Sequence, residues 1–138
     1  MKSTINVPTV PLQEAIDRVA RFRKQIQTAA QVPEENIPRA IFIPIADIMA
    51  IIDKFQTIDA EGNIHSAIRG VRAYFAVKEG DEDLPDDITA LIVPVDVKGN
   101  DIIATNNGLK DDVDDSDIYD FTKPCPSYCD PNSPLFIQ

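Results

Sequence analysis

IRGVRAYFAVK (Ile68 to Lys78) and ITALIVPVDVK (Ile88 to Lys98) are the two apolar runs on which the reading of this chain turns, and the acidic linker EGDEDLPDD joins them. Both are rich in β-branched and aromatic residues. The nine linker residues fall short of the dozen or more that a parallel crossover needs, so the pair is expected to be antiparallel. In the first run Val71, Ala73, Phe75 and Val77 alternate with Gly70, Arg72, Tyr74, Ala76 and Lys78, the period of a strand with one buried and one mixed face. In the second, Leu91, Val93, Val95 and Val97 share a face with Thr89, while Ile88, Ala90 and Ile92 lie opposite. Burying about ten such side chains contributes on the order of 15–25 kcal/mol before chain entropy is set against it. On this reading Phe75 and Val93 share the core face, Phe75→Ala costs about 3–5 kcal/mol, and Lys78→Ala is nearly silent. Pro94 has no amide to donate, so it is expected at an edge position or a bulge, with its amide side facing away from a ladder partner.

Downstream, Lys98, Gly99 and Asn100 read as a tight turn into a third short strand before Ala104, making a three-stranded meander. Upstream, Asp59, Glu61, Gly62 and Asn63 are turn chemistry that delivers the chain to the first strand. This stretch holds the single histidine, His65, a candidate base or metal ligand with no Cys or second His beside it. Arg69 and Arg72 project to opposite faces of a regular strand, and a bulge at Gly70 would be needed to bring them onto one anion. Pairing of each with a carboxylate is the plainer expectation.

The N-terminal half reads as two helices. Thr9 is an expected N-cap before Pro11, and Leu12, Ala15, Ile16, Val19, Phe22, Ile26 and Ala29 recur as one apolar stripe over about residues 11 to 30. Arg18, Arg21, Lys24 and Gln25 fall largely off it, as a solvated face would. Pro33 and Pro38 bracket a connector, and AIFIP (Ala40 to Pro44) is either extended or the lead into a second helix. In that helix Ile45, Ile48, Met49, Ile52 and Phe55 repeat at helical spacing. It is nearly all apolar and should be the more buried of the two, with Met49 filling a gap in the core. The fold class expected is therefore α+β, two N-terminal helices packed on a small antiparallel sheet.

The 138 residues match the usual size of one domain. The net charge of −10 is unevenly spread, with +2 over residues 1 to 78 and −12 over residues 79 to 138. So acidic a chain has no general attraction to phosphate backbones or anionic membrane surfaces. Neither nucleic acid nor membrane is an expected partner, and without a signal-like apolar run the expected location is the cytoplasm.

From Thr105 the periodicity stops. Residues 1–104 read as the α+β core and residues 105–138 as an acidic, Pro- and Cys-containing strap of the same domain, anchored by Ile118, Tyr119, Phe121, Tyr128, Leu135 and Phe136. Asp112, Asp114 and Ser116 carry the odd-position spacing of a calcium loop. Asp117, however, stands where such a loop needs glycine, and no glutamate closes it, so an EF-hand fails. Cys125 and Cys129 are spaced C-x-x-x-C, not the C-x-x-C of thioredoxin-like centres. In a cytoplasmic chain they are expected as structural thiols or a local staple. Zinc would need two further ligands, with His65 or carboxylates as candidates, and thiol-redox chemistry is the other alternative.

The strand IRGVRAYF and, more closely, the tail FTKPCPSYCDPNSPL (Phe121 to Leu135) resemble a group of small uncharacterised bacterial proteins that end in an FT-x-P-CP-x-x-CDP-x-SPL motif. The resemblance covers roughly the second half of the chain and implies no activity. With no nucleophile–base–orienter set, no glycine-rich phosphate loop and no paired histidines in the sequence, the expected function is a non-enzymatic interaction or assembly module without a cofactor. Its partner is expected to be a second copy or another protein. The alternative is a metal-binding or thiol-redox protein using Cys125 and Cys129.

Overall fold

The computed structural model describes residues 7–29, 37–77, 88–104, 116–125 and 128–137. Along the chain these form α1 (Leu12–Ala29), β1 (Ala40–Phe42), α2 (Ile45–Lys54), β2 (Gln56–Ile58), β3 (Ile64–Ser66), β4 (Ile68–Val77), β5 (Ile88–Asp96) and β6 (Lys123–Cys125). The class is α+β, with the strands in small antiparallel ladders β1–β6, β2–β3 and β4–β5.

Helix α1 begins where the Pro11 carbonyl accepts the Ala15 amide at 3.0 Å, and Glu14 in its first turn also binds Arg18 one turn on at 2.6 Å. Helix α2 follows Pro44, whose φ of −61° suits a helix entrance, and carries Asp47 in its first turn and Lys54 in its last, both signs favoured by the helix dipole. The expectation that α2 is the more buried helix does not hold. Ile51 is its buried residue, while Ile45, Ile52 and Met49 are exposed, Met49 by 62%. Met49 therefore fills no core gap.

Two turns share one construction. Asp59-Ala60-Glu61-Gly62-Asn63 and Asp96-Val97-Lys98-Gly99-Asn100 are both D-x-x-G-N. In each, the aspartate Oδ1 accepts the amides two and four residues on, at 3.0 and 2.8 Å for Asp59 and 2.8 and 2.9 Å for Asp96. The glycine follows with φ of +84° or +91°, a conformation that side chains with a Cβ rarely adopt. The first turn closes the hairpin β2–β3, which the sequence reading treated only as a connection. The second reverses the chain after β5, but beyond it Asp101 makes a single bridge to Val95 where a third meander strand was expected.

The β4–β5 ladder runs from Val77↔Ile88 to Ile68↔Asp96, with a register shift between Ile68 and Gly70, the position at which the sequence allows a bulge. Strand β5 is the inner strand. The backbone groups of its even-numbered residues turn away from β4: Ile92 exchanges two 2.9 Å bonds with Tyr119, and the Pro94 carbonyl accepts the Ile102 amide at 2.8 Å. Further along that side, the Ala90 carbonyl accepts the Thr122 hydroxyl at 2.8 Å. Pro94 thus lacks its N–H on the side away from β4, as its chemistry requires. Beyond Thr122 the chain continues into β6, which pairs with β1 and brings Cys125 opposite Ala40.

Among the described residues the buried apolar ones are Ile37, Ile51, Ala90, Ile92, Val93, Pro94, Val95, Pro124 and Cys125. Phe75 is not among them. It stands opposite Ala90, whereas Val93 stands opposite Arg72, so the two do not share a face, and Phe75 is 79% exposed. The period-2 pattern identified the strands correctly. It assigned the buried side to β4 because alternation is blind to which strand is covered on both faces.

Candidate interaction surface

Neighbouring strands differ sharply here. Val93 and Ile92 of β5 are almost fully covered, on opposite faces, while Val71, Tyr74, Phe75 and Val77 of β4 are exposed. Among the described residues β5 is the only strand hydrogen-bonded to β4, and none of them pairs with the other edge of this ten-residue strand. Beside Phe75 lies an apolar groove of about 410 Å³, lined also by Phe22 and Ile26 of α1, Ile41 of β1 and Ile88. On the opposite face, Arg72 donates to Asp101 and, at 3.4 Å, to the Gly99 carbonyl, and Tyr74 donates to the other Asp101 oxygen. Arg72 therefore pairs with a carboxylate, the plainer of its two expectations. The Tyr74 hydroxyl is held above its usual pKa, first by its hydrogen bond to Asp101.

The C-terminal residues reach the core at separate points. Lys54 donates to Asp117 at 2.5 Å and to Tyr119 at 3.3 Å, and Tyr119 donates to the same Asp117 oxygen at 2.6 Å. Asp117 adopts a left-handed φ of 60°, which aspartate tolerates better than most residues. This cluster borders a cavity of about 440 Å³ lined by Asp47, Ala50, Ile51, Lys54, Tyr119 and Phe121. Further on, the Arg39 guanidinium lies 4.1 Å over the Phe136 ring and donates to the Ile137 carbonyl, and Tyr128 packs on Phe42 with ring centres 5.4 Å apart.

The carboxylates give the fold an acid limit. Burial pushes the Asp117 carboxyl up, but hydrogen bonds from Lys54 and Tyr119 outweigh it and leave the group below its usual range. Asp59 is lowered chiefly by His65, and Asp96 by the Asn100 amide. A carboxyl lowered in the folded state contributes stability above its unfolded pKa of about 3.9 and loses it as pH falls through the folded value. Thermal midpoints should therefore be level from pH 7 to 5 and fall below about pH 4. In Asp117→Asn the midpoint should start lower and fall less steeply. An identical acid limb in the variant would remove Asp117 from this role.

Of the residues singled out in the sequence, Cys125 and Cys129 come together and His65 stays apart from any metal-ligand cluster. The cysteines form a disulfide with Cα atoms 4.9 Å apart, so they are a bonded pair and not the free thiols that were one expectation. Closing a loop this short stabilises by about 2 kcal/mol in the chain-entropy model. His65 sits on the exposed β3 with Nε2 2.7 Å from Asp59 Oδ2, an arrangement that braces the hairpin. Among the described residues no three His, Cys, Asp or Glu side chains are grouped to hold a metal ion. Asp112 and Asp114 of the calcium-loop comparison lie outside the described residues, as does Lys78.

One residue escaped the sequence reading. Arg23 is 5% exposed, with Nε and Nη1 buried and without hydrogen-bond partners among the described residues. Its position was legible, since it follows Val19 by four residues and precedes Ile26 by three, on the apolar stripe of α1. A buried unsatisfied donor costs about 1–3 kcal/mol. Arg23→Met keeps the aliphatic stem and removes the donors, so its urea midpoint should rise. A fall would mean that the guanidinium has favourable partners in solution.

Comparison with protein-family profiles, curated proteins and solved structures finds no match to this chain. No described helix is long and apolar enough to cross a membrane.

Proposed function

We propose that this chain is a non-enzymatic interaction module, in which residues 1–104 form the core and residues 105–138 are a strap of the same domain, packed against that core to leave β4 presented to a protein partner. The observation that carries the reading is the exposed β4, with Phe75 uncovered by 79% beside an inner strand buried on both faces. An apolar surface of this kind marks a contact site in a folded protein. The strap is supported by the bonds of Tyr119 and Thr122 to β5 and by Phe136 beneath Arg39. A photo-reactive phenylalanine analogue at position 75, in the full chain inside cells, should form a protein adduct, whereas the same analogue at the exposed Glu61 should not. Absence of any adduct from position 75 would contradict the reading.

A second reading, a metal-binding or thiol-redox protein using Cys125 and Cys129, rests on the bonded pair, which borders a cavity of about 320 Å³ with Tyr128, Asp130 and Phe136. We place the chain in the cytoplasm, where the pair stays bonded only if its potential lies below that of the glutathione pool. Equilibration with glutathione buffers separates the cases. A structural staple, with its own potential below roughly −300 mV, stays oxidised across the glutathione range, a redox centre exchanges between roughly −180 and −270 mV, and a metal site binds one zinc per reduced chain.

A further inference from the structure

We propose that the occupant of the β4 edge is β4 of a second copy of this chain, paired antiparallel about a two-fold axis at Ala73. The inference rests on the interaction-module reading and names its partner. It begins with the backbone. Because Ile92 and Pro94 direct their polar groups away from β4, the residues opposite them, Ala73 and Val71, form non-hydrogen-bonded pairs with β5 and direct their own N–H and C=O to the open edge. Phe75, opposite Ala90, continues the alternation. A second strand must therefore bond to Val71, Ala73 and Phe75.

Antiparallel self-pairing admits only registers in which the outward residues of both copies meet. Centring on Ala73 sets Ala73 against Ala73 and Val71 against Phe75 in both directions, giving about six main-chain hydrogen bonds. Centring on Val71 runs the pairing into the register shift at Gly70, centring on Phe75 leaves Val71 beyond the partner's described strand, and centring on Arg72 or Tyr74 sets that side chain against its own equivalent, two arginines or two bulky rings at the close approach of a non-hydrogen-bonded pair. The Ala73 register is also chemically self-complementary. On one face two Val–Phe pairs flank the small alanines. On the other, Arg72 lies across from Tyr74 of the second copy and no arginine faces its own equivalent, so like charges never oppose.

Area sets the extent of the contact. A stable interface buries roughly 800 Å² per partner, and the exposed parts of Phe75 and Tyr74 supply only about 200–300 Å² of it. The contact must extend into the groove beside Phe75, whose lining includes Phe22 and Ile26. The occupant is accordingly a folded copy that brings its own α1 face, and an isolated extended peptide would cover too little.

The test uses the full chain with Ala73→Cys. Paired residues in this register have Cα atoms about 5.5 Å apart, within disulfide range. Ala73→Cys should give a covalent dimer under mild oxidation, Val71→Cys alone should not, and a mixture of Val71→Cys with Phe75→Cys should cross-link only between the two variants. Phe75→Asp, monitored for folding by circular dichroism, should weaken self-association at least tenfold in sedimentation. A chain that remains monomeric at high concentration, or an Ala73→Cys protein that does not cross-link, overturns the proposal. If the photo-adduct at position 75 then contains a different protein, the self-pairing fails while the module reading stands. If no adduct forms either, both fail.

Discussion

Ile92→Ala is expected to destabilise the chain by about 2–5 kcal/mol, while Phe75→Ala, which removes a larger side chain, should shift the stability of the dilute protein by less than about 1 kcal/mol. Ile92 is 1% exposed and lies on β5 between β4 on one side and Tyr119 on the other. Truncating it loses the transfer free energy of three carbons and leaves a cavity that packed neighbours close only in part. Phe75 is largely in solvent already, so its truncation removes little from the fold. Urea denaturation at low micromolar concentration measures both. The reverse ranking would mean that β4, and not β5, is the inner strand.

Deleting residues 119–138 should abolish cooperative melting and cause aggregation. The deletion removes both Tyr119–Ile92 bonds, the Thr122 hydroxyl that caps Ala90, all of β6 and the disulfide, and it uncovers the outer edge of β5 together with β1. Ordering an irregular segment costs about 1–2 kcal/mol per residue in backbone entropy, so contacts this numerous must return a comparable amount or the segment would not stay in place. An exposed β5, apolar on both faces, is a template for pairing between chains. A truncated protein that keeps its melting temperature and its light-scattering mass would show that the tail contributes nothing to the core.

What the sequence disclosed follows the length of its elements. Both helices, the long β4–β5 pair and the reversal at Gly99 could be read because apolar periodicity and turn residues act locally. For the three-residue strands β1 and β6 the sequence offered no more than an extended alternative at AIFIP, since AIF and KPC have no period to detect and pair only across more than eighty residues of chain. The hairpin β2–β3 was legible in principle, because its D-x-x-G-N turn repeats the one after β5. The error about Phe75 and Met49 has another cause. An apolar side chain reports that its burial is favourable, and a surface that meets a partner carries the same signal as one that meets its own core. For the cysteines, spacing allowed the local bridge and could not choose it over thiols or metal.

Residue-resolved hydrogen exchange of the full chain, followed from a dilute to a concentrated sample, tests the account most directly. In the dilute sample the amide of Ile92 should be among the slowest to exchange. The amides of Arg72, Tyr74 and Ala76 should be protected by β5, while those of Val71, Ala73 and Phe75 should exchange fast. On concentration, those three amides should become protected together. Uniform protection along β4 in the dilute protein, or fast exchange at Val71, Ala73 and Phe75 at every concentration, would contradict an open edge that is filled by a second copy.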